Sequence, residues 1–520
     1  MTPGTITTVR EAAFAVFRHF GVDALFGNPG STELPMLHAM PADIAYVLGL
    51  NEAVVVAMAD GYAQASRRPA LVNLHSSAGT GNALGNLFTS FRNGTPLVIT
   101  AGQQARSILP FDPFLGAERA TEFPRPFVKW SAEPLRAQDV PLALARAFHI
   151  ALTPPMGPCF VSVPVDDWDR TCEMPLLPAL TVRTMPDPAG LARLAAMLDA
   201  ATRPALVLGT GVARSGGWHA AIALAERSGA AVWTAPFAAR ETFPEDHPQF
   251  AGFLPAFREE IVRLLSPHDA LLVAGAPAFT YHAEGHGPHW PEAATLGLLS
   301  EDPQHLAALP GGIGVLGDVA AGLNALAGLA KARDAAPPRA RPHPPEPAMT
   351  AAHVLARIAA LRPADAILVE EAPTARGPMH DHLPVVSEGG FFTTASGGLG
   401  YGLPAAIGVA RAQPQRKVIA LLGDGSAMYT IQGLWSAAEQ RLPVSFVILN
   451  NRRYAALDHF AKVFGMNRLP GTEIGGIDFA AMGQSMGVAA RRVESAAGID
   501  DALEWSLASP QPTLVEIIID

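Results

Sequence analysis

The feature that most restricts how this chain can fold is a repeated alternation between short, continuously apolar runs and segments of helix length. The runs are DALFG, AYVLGL, ALVNLHS, PLVITAG, CFVSVP, PALVLGTG, AAVWTAP, ALLVAGA, IGVLGD, AILVEE, KVIALLGDG, VSFVILNN and TLVEIIID. Such runs are typical of parallel strands buried on both faces, with helices as the connections between them. The sequence therefore predicts an α/β protein of doubly wound parallel sheets, in which ligands bind at the carboxyl ends of the strands.

Two proline-rich stretches divide these runs into three groups. Prolines recur over residues 169–190, and residues 331–348 combine proline pairs with charges. Both compositions are typical of linkers. A chain of 520 residues has room for about three domains. We expect these domains at residues 1–175, 185–332 and 345–520.

Charge and cysteine content exclude several classes of partner. The net charge is −10, and no basic run is interleaved with aromatic residues, which argues against binding to nucleic acid. The two cysteines form no Cys-x-x-Cys motif and favour a reducing compartment. The N-terminal residues lack the pattern of a signal peptide, and no apolar run is long enough to span a bilayer. These features predict a cytoplasmic protein without a membrane partner.

Polar residues close two neighbouring apolar runs of the third domain. Gly-Asp-Gly at 423–425 follows one run, and Asn-Asn at 450–451 follows the next. Carboxylate, amide and backbone carbonyl oxygens suit Mg²⁺, and the amides at the start of a helix suit a diphosphate. Ordinary turns also contain Gly, Asp and Asn. Because one intact helix-and-strand unit separates Gly-Asp-Gly from Asn-Asn, the pattern favours a site for Mg²⁺ and a diphosphate.

This stretch resembles the thiamine-diphosphate motif, which opens with Gly-Asp-Gly and closes with Asn-Asn. The resemblance covers essentially the whole chain and is strongest to the benzoylformate decarboxylases. It is also carried by the segments FGNPGSTELPM, ADGYAQASRRPALVNLHSSAGTGNALGNL, LVITAGQQAR, PRPFVKWS, SVPVDDW and GGLGYGLPAAIGVA. It implies pyrimidine-binding, central Rossmann-like and diphosphate-binding domains, in that order. It also implies decarboxylation of an aryl 2-oxo acid to the aldehyde and CO₂ through a thiamine-diphosphate enamine, with carboligation as a side activity.

The same resemblance implies the residues that contact the cofactor and its metal. Mg²⁺ would be held by Asp424, Asn451 and the carbonyl of Arg453. Glu52 would bond N1′ of the pyrimidine, although an acidic residue in the first turn of a helix also has an ordinary explanation in the helix dipole. The remaining cofactor contacts implied are the carbonyl of Gly397, the bulky side chain of Leu399, Gly425, Ser426 and Tyr454.

Three further residues would act on the substrate. Ser31 would bind the substrate carboxylate. His75 would orient the substrate and protonate the enamine, and His282 would assist proton transfer and release of the aldehyde. Histidine suits proton transfer near neutral pH. Each of the three alone is an ordinary loop residue, but the set matches the benzoylformate decarboxylases in context.

The chain departs from that pattern in several places, among them Ala375, Arg452 and Ala455, and two further departures concern the site directly. Arg376 stands where the relatives carry hydroxyl-bearing residues that hold the diphosphate, so it would either make a charge-assisted bond there or point to solvent. Thr393 replaces an aromatic residue of the substrate pocket. The resemblance implies the following pocket walls: Phe114, Leu115, Thr393, Ala456, Leu457 and Phe460.

Parts of the sequence also suggest other functions. His282, His286 and His289 have a spacing that suggests a metal site, but intervening glycines and a proline break any common helical face. The segment LGTGVARSGG suggests a dinucleotide loop but lacks the third glycine. Two alternative functions remain: the chain could be a carboligase similar to acetolactate synthase, or a catalytically inactive binding homologue.

The resemblance also predicts the assembly. Glu52 lies in the first domain and Asp424 in the third, and in the family the two meet across a subunit interface. We therefore expect a homo-oligomer with its active site at a dimer interface, built up to a tetramer.

Overall fold

The computed structural model describes residues 4–466 and 469–520, and these residues form two compact units. The first unit comprises Met1–Val182, Val369–Thr374 and Ser396–Asp520, and the second comprises Arg183–Leu368 and Ala375–Ala395. Three sheets of six strands are present, and their paired strands run parallel. The predicted α/β class with doubly wound parallel sheets is confirmed, whereas the domain bounds remain a prediction.

The first sheet belongs to the N-terminal part of the first unit. Its strands and a separate antiparallel pair are β1 (Ile6–Thr8), β2 (Ala24–Gly27), β3 (Ala45–Leu48), β4 (Ala70–Leu74), β5 (Leu97–Gln103), β6 (Trp130–Ala132), β7 (Cys159–Pro164) and β8 (Thr171–Glu173). The helices are α1 (Val9–His19), α2 (Leu34–Leu37), α3 (Glu52–Ser66), α4 (Ser76–Asn93) and α5 (Val140–Leu152). The strand order is β3-β2-β4-β5-β7-β6, and β1 pairs with β8 outside this sheet.

The second sheet belongs to the second unit. Its strands are β9 (Pro204–Leu208), β10 (Ala231–Thr234), β11 (Phe250–Phe253), β12 (Ala270–Ala274), β13 (Thr295–Ser300) and β14 (Ile313–Leu316). Its helices are α6 (Pro188–Ala200), α7 (Thr210–Ser215), α8 (Trp218–Ser228), α9 (Arg258–Leu265), α10 (Pro303–Ala307) and α11 (Val319–Leu329). The strand order is β11-β10-β9-β12-β13-β14.

The third sheet is built from the last part of the chain. Its strands are β15 (Ile367–Glu371), β16 (Phe391–Phe392), β17 (Val418–Gly423), β18 (Val444–Asn450), β19 (Ala489–Val493) and β20 (Thr513–Ile518). The helices are α12 (Ala351–Leu361), α13 (Arg376–His382), α14 (Gly402–Ala412), α15 (Asp424–Met428), α16 (Gly433–Gln440), α17 (Ala455–Val463), α18 (Phe479–Ser485) and α19 (Ile499–Ala508). The strand order is β16-β15-β17-β18-β20-β19.

The strand orders locate the points at which each sheet can bind a ligand. Numbered within each sheet, the first and third both follow the order 2-1-3-4-6-5, and the second follows 3-2-1-4-5-6. In open α/β sheets the ligand crevice lies where the winding reverses, beyond the carboxyl ends of two adjacent strands. These positions are β2/β4, β15/β17 and β9/β12. In the second sheet the backbone fills this position, because the amide of Gly211 donates to the carbonyl of Gly275 at 2.8 Å.

No helix in the described part of the chain is long and apolar enough to cross a membrane.

Candidate active site

Glu52 is a buried carboxyl group at the start of α3. Asn51 caps this helix, its side-chain oxygen accepting from the amide of Ala53 at 2.8 Å. Glu52 is only 6% exposed, and its two oxygens accept from the side-chain amides of Asn28 (3.3 Å) and Asn82 (3.0 Å). These bonds fix the direction of the carboxyl group, which suits a side chain that must hold one proton at one place.

His75 is held by a second buried carboxyl group, that of Glu33. The Glu33 carboxylate lies 2.9 Å from Nδ1 of His75 and also accepts from the amides of Gly30 (2.9 Å) and Gly102 (3.1 Å). Because an ionised carboxylate can only accept, Nδ1 carries the proton. The other ring nitrogen, Nε2, is then left to exchange a proton with a ligand.

The chain brings Glu52, His75 and the segment of Ser31 together at one edge of the first sheet. Gly79 lies against both functional groups, since a Cβ there would be 3.3 Å from Glu52 Oε1 and 3.3 Å from the Cβ of His75. Ser31 is exposed and follows Gly30, whose amide bonds Glu33. The carbonyl of Leu115 accepts from the hydroxyl of Ser76, next to His75. This edge contains the β2/β4 crevice at which a ligand is expected.

Phe114 precedes Leu115 but is oriented differently. Its side chain is 85% exposed in the single chain, while its carbonyl accepts from the Gln104 side chain at 2.8 Å. The hydrogen bond to Gln104 restrains the backbone of Phe114, while its ring remains exposed.

Asp424 and the Asn-Asn pair meet at the carboxyl ends of β17 and β18. The register pairs Gly423 with Leu449, so the residues that follow each strand are neighbours. Asp424 is 4% exposed, and burial raises the pKa of its carboxyl group, while the amides of Gly425, Arg452 and Arg453 act in the opposite direction.

One oxygen of this carboxyl group suits a metal ligand. Oδ1 of Asp424 accepts from the amide of Gly425 at 2.7 Å, whereas Oδ2 is buried without a hydrogen-bond partner among the described residues. A buried, unpaired carboxylate oxygen is costly unless a cation binds it. The residues present at this position therefore fit a divalent cation.

The two asparagines have different surroundings. The side chain of Asn450 is engaged within the protein, donating to Glu516 at 2.6 Å and accepting from the amide of Arg452 at 3.1 Å. Asn451 accepts from the amide of Arg453 at 3.2 Å and is partly exposed. Asn451 is thus the member of the pair that is placed to bind a ligand.

The segment after Asn451 leaves one backbone carbonyl available. Tyr454 donates its amide to Thr472, and Ile474 donates to the carbonyl of Arg452. This pairing uses the carbonyl of Arg452 rather than that of Arg453. The guanidinium of Arg453 forms an ion pair with Asp458 at 2.6 Å.

Tyr454 covers the glycine of the Gly-Asp-Gly motif. A Cβ at Gly425 would lie 2.3 Å from Cε1 of the Tyr454 ring, so only glycine fits there. Burial raises the pKa of the Tyr454 hydroxyl, with Tyr429 and Asp424 adding to the effect. Ser426 is buried in the first turn of α15, beside this ring.

Gly397 and Leu399 lie in a loop before α14. Gly397 is exposed with φ +73°, and Leu399 is half-buried. The loop is anchored by hydrogen bonds at both ends: Ser396 contacts Thr89 at 2.8 Å, and the carbonyl of Gly400 accepts from Asn86 at 3.0 Å. Gly397 and Leu399, which are implied in cofactor binding, therefore lie between two hydrogen-bonded residues, Ser396 and Gly400.

The remaining predicted site residues of the second unit are His282, Arg376 and Thr393. His282 is exposed, its amide bonds the carbonyl of Ala256 at 2.9 Å, and its ring lies 6.0 Å from that of Phe237. Arg376 donates to the hydroxyl of Thr393 at 2.8 Å, and Thr393 is 2% exposed. Arg376 and Thr393, both expected from the resemblance to depart from the family pattern, are thus bonded to each other.

Helix α17 carries the other three predicted pocket residues. Ala456 and Phe460 are half-buried, and Leu457 is 45% exposed. The helix starts next to Tyr454, and Asp458 within it pairs with Arg453. Its position is therefore coupled to the segment that follows Asn451.

Three residues that sequence reasoning missed bond predicted site residues directly, and a fourth bonds the end of the loop that carries two of them. They are Asn28 and Asn82 at Glu52, Glu33 at His75, and Glu371 at the loop of Leu399. Glu33 lies only two residues after Ser31, within the quoted segment FGNPGSTELPM. An acidic residue so close to a predicted substrate contact was the available signal.

Comparison with known families gives matches over most of the chain. The description "Thiamine pyrophosphate enzyme, N-terminal TPP binding domain" matches residues 7–119, and the central domain of the same family matches residues 191–326. The C-terminal TPP binding domain matches residues 375–517.

Individual relatives match over nearly their full length. The chain is 42% identical over 519 residues to benzoylformate decarboxylase of Pseudomonas aeruginosa, covering 98% of each chain. Among solved structures, it matches the thiamine diphosphate-dependent 4-hydroxybenzoylformate decarboxylase of Rhodococcus jostii RHA1 at 38% identity with a TM-score of 0.96, covering 99% of each chain. Benzoylformate decarboxylase from Polynucleobacter necessarius matches at 38% identity with a TM-score of 0.95, covering 98% of each chain.

Proposed function

Because the chain belongs to the thiamine pyrophosphate enzyme family, we propose that it is a carboxy-lyase that converts an aryl 2-oxo acid into the aldehyde and CO₂. One observation of the structure carries this proposal: a buried Glu52 and a His75 held by Glu33 lie at the same edge of the first sheet. The near full-length similarity to benzoylformate decarboxylases supports the aryl substrate class.

The cofactor of the family is thiamine diphosphate, and the residues present fit it. When bound, it supplies an electron sink for the carbanion that remains after CO₂ leaves. Asp424, Asn451 and the carbonyl of Arg453 would hold Mg²⁺, which the unpaired Oδ2 of Asp424 supports. Gly425 and Ser426 would meet the diphosphate, with Tyr454 beside them.

The chain's own residues would perform the proton transfers. Glu52 would hold the proton at N1′ of the pyrimidine, since Asn28 and Asn82 fix its direction. Ser31 would bind the substrate carboxylate. His75, with Nδ1 bonded to Glu33, would deliver a proton from Nε2 to the reacting carbon. His282 would assist release of the aldehyde.

The pocket would be apolar with one polar wall. Phe114, Leu115, Ala456, Leu457 and Phe460 would supply the apolar surface. Thr393 would supply a hydroxyl group, which Arg376 holds in place. We expect a para-substituted aryl 2-oxo acid to fit better than benzoylformate itself, and carboligation of aldehydes to follow as a side activity.

The assembly is proposed on the same basis. We propose a homodimer with the active site between subunits, paired into a tetramer, and domains at 1–175, 185–332 and 345–520. The cytoplasmic location stays a prediction of the sequence.

A substrate panel tests the proposed function. Benzoylformate, para-substituted benzoylformates, pyruvate and longer alkyl 2-oxo acids would each be assayed for CO₂ release, with and without added aldehyde. We expect aryl acids to have the highest kcat/KM and the free aldehyde to be the main product. If pyruvate were the best substrate and a 2-hydroxy acid or ketone the main product, a synthase would be the better description. Absence of CO₂ from every acid would indicate an inactive binding homologue.

A further inference from the structure

Glu371 fixes three successive backbone units with one side chain. It is the last residue of β15 and is 1% exposed. Its oxygens accept hydrogen bonds from the backbone amides of three consecutive residues, Gly400 (2.8 Å), Tyr401 (3.1 Å) and Gly402 (3.0 Å). A buried carboxyl group with three amide donors is strongly restrained in position.

These three amides lie where the loop of residues 396–401 joins α14. Gly400 ends the stretch that contains Gly397 and Leu399, and Gly402 begins the helix. At Gly397 nothing lies within 4 Å of the position of a Cβ, so packing around that residue does not fix the loop. The loop is held at its ends instead, by the hydrogen bonds of Ser396 and Gly400 and by the close packing of Gly400 against Tyr429.

Two glycines near the end of the loop have a structural reason, and one of them is the contact with Glu371. A Cβ at Gly402 would lie 2.6 Å from the Cβ of Glu371, so a side chain there would displace the carboxyl group. Gly400 has φ +95°, a conformation that disfavours residues with a side chain. Gly402 is thus required by the contact with Glu371, and Gly400 by its backbone conformation.

A second chain of bonds connects the same point to α3. The hydroxyl of Tyr401 donates to Asp60 at 2.9 Å, and Asp60 is completely buried. Asn86 bonds both the carbonyl of Gly400 and that of Ala53, which follows Glu52. The end of the loop is therefore tied to the helix that begins at Glu52, within the same compact unit.

We propose that Glu371 is a positioning residue for the cofactor: it sets the loop so that the Gly397 carbonyl and the Leu399 side chain meet the aminopyrimidine. This inference rests on the proposed function, because it concerns how a thiamine-diphosphate enzyme holds its cofactor. Glu371 itself bonds only the backbone at the start of α14, so its effect on catalysis passes through the loop.

Two variants and one control test the inference in the full-length protein. Glu371→Gln keeps an oxygen for Gly400 and Tyr401 but turns an NH₂ group towards the amide of Gly402. Glu371→Ala removes all three acceptors. The matched control is Asp269→Asn, because Asp269 also accepts two backbone amides, those of Thr202 (2.7 Å) and Arg203 (2.8 Å), but in the second unit.

The first readout needs no cofactor. Amide hydrogen exchange is measured in the cofactor-free protein, and we expect residues 400–402 to exchange about tenfold faster in Glu371→Gln and faster still in Glu371→Ala, as the loss of one or more hydrogen bonds predicts. The Asp269→Asn control should leave this segment unchanged. Wild-type exchange at these amides in both Glu371 variants would overturn the proposal.

The second readout separates positioning from general loss of structure. Calorimetry with thiamine diphosphate and Mg²⁺ should show an affinity for Glu371→Gln within about threefold of wild type, because the metal and diphosphate contacts remain. Hydrogen exchange at C2 of the bound cofactor and kcat should both fall about tenfold, while KM for the 2-oxo acid changes little. If affinity, C2 exchange and KM all changed in parallel, Glu371 would be a structural residue only.

The results for the wild-type protein show whether a failure concerns the proposed function or only the role of Glu371. If wild-type protein did not bind thiamine diphosphate, or released no CO₂ from any acid, the proposed function would fail. If wild type bound the cofactor and both variants exchanged C2–H at the wild-type rate, only the role of Glu371 would fail.

Discussion

At the scale of single residues, Asp424 is a buried carboxylate at the proposed metal site with an oxygen that has no partner in the part of the chain that the structure describes. Its Oδ2 is buried and unpaired among the described residues. We predict that Asp424→Ala lowers Mg²⁺-dependent affinity for thiamine diphosphate by at least about 100-fold, because even indirect partners of a metal typically contribute 10- to 100-fold. Titration by calorimetry, with and without Mg²⁺, measures this loss. Unchanged affinity would contradict the metal assignment.

Glu52 gives a prediction that separates binding from chemistry. Glu52→Gln keeps the shape and the neighbouring asparagines but removes the ionisable group. We expect cofactor affinity to stay within a few-fold, whereas C2–H exchange and turnover fall by at least about 100-fold, the usual scale of acid–base catalysis. Near-normal turnover would leave Glu52 as an ordinary acidic residue in the first turn of a helix.

Thr393 is expected to govern the substrate range. Thr393→Phe restores a ring where the resemblance places one and removes the hydroxyl that Arg376 holds. We predict that the ratio of kcat/KM for benzoylformate over a para-substituted analogue rises by about tenfold, since buried aromatic contacts are worth a few kcal/mol. Steady-state kinetics with both acids test this prediction. A shift of the ratio in the opposite direction would contradict the assignment of Thr393 to the substrate pocket.

The residues that sequence reasoning found and those it missed differ in a physical way. Asp424 and Asn451 belong to a motif, because a metal and a diphosphate require certain atoms at a certain spacing along the chain. Glu33 and Glu371 bond atoms that are distant in sequence, His75 and Gly400, respectively. Glu33 lies near the predicted Ser31, but the local sequence of neither residue shows which distant atoms it bonds, so only the folded structure reveals these contacts.

At the scale of elements, every apolar run singled out in the sequence forms a strand. Some of the other strands were missed because their sequences are less apolar or are interrupted, as β19 and β13 show. β19 (Ala489–Val493) contains two arginines and lies at the edge of its sheet, where one side chain row can reach water. β13 is interrupted by Gly297, where a Cβ would lie 2.6 Å from Leu194. A glycine required by helix packing therefore weakens the strand signal.

The contact between Glu371 and the start of α14 predicts how stability depends on pH. Burial raises the pKa of Glu371 to about 8, with repulsion from Glu370 adding to the effect and the amides of residues 400–402 opposing it. Because the pKa is higher in the folded than in the unfolded protein, folding favours the protonated form. This contribution to stability is present below the unfolded pKa and is lost as the pH rises through about 8.

The measurement compares wild type with Glu371→Gln, which cannot titrate. Between about pH 5 and about pH 8 the free energy of unfolding of wild type should fall relative to the variant, by at most about 1.4 kcal/mol per pH unit. Urea denaturation of both proteins across this range gives the difference directly. Parallel pH curves would show that Glu371 does not titrate in this window.

At the scale of the whole molecule, the proposed location of the active site between subunits predicts that two inactive variants restore each other's activity. Glu52→Gln subunits mixed with Asp424→Ala subunits would form heterodimers in which one site has an intact Glu52 and an intact Asp424. Random pairing of equal amounts makes about half of the dimers heterodimers, and one of the two sites in each heterodimer is intact. The mixture should therefore regain about a quarter of the wild-type activity. Each variant alone should stay inactive at any concentration.

Sedimentation provides the companion measurement. The active species should sediment as a dimer or a tetramer, and dilution below the dissociation constant should abolish turnover. An active monomer, or mixtures of the two variants without regained activity, would place each site within one chain.

The first and third sheets follow the same strand order, 2-1-3-4-6-5, whereas the second does not. Both sheets therefore reverse their winding between the first and third strands, so the ligand crevice falls at the same place in each. In both sheets the residue directly after the third strand is a predicted site residue: His75 follows β4 and Asp424 follows β17. The same position in one strand order thus carries the proposed proton donor in the first sheet and the proposed metal ligand in the third.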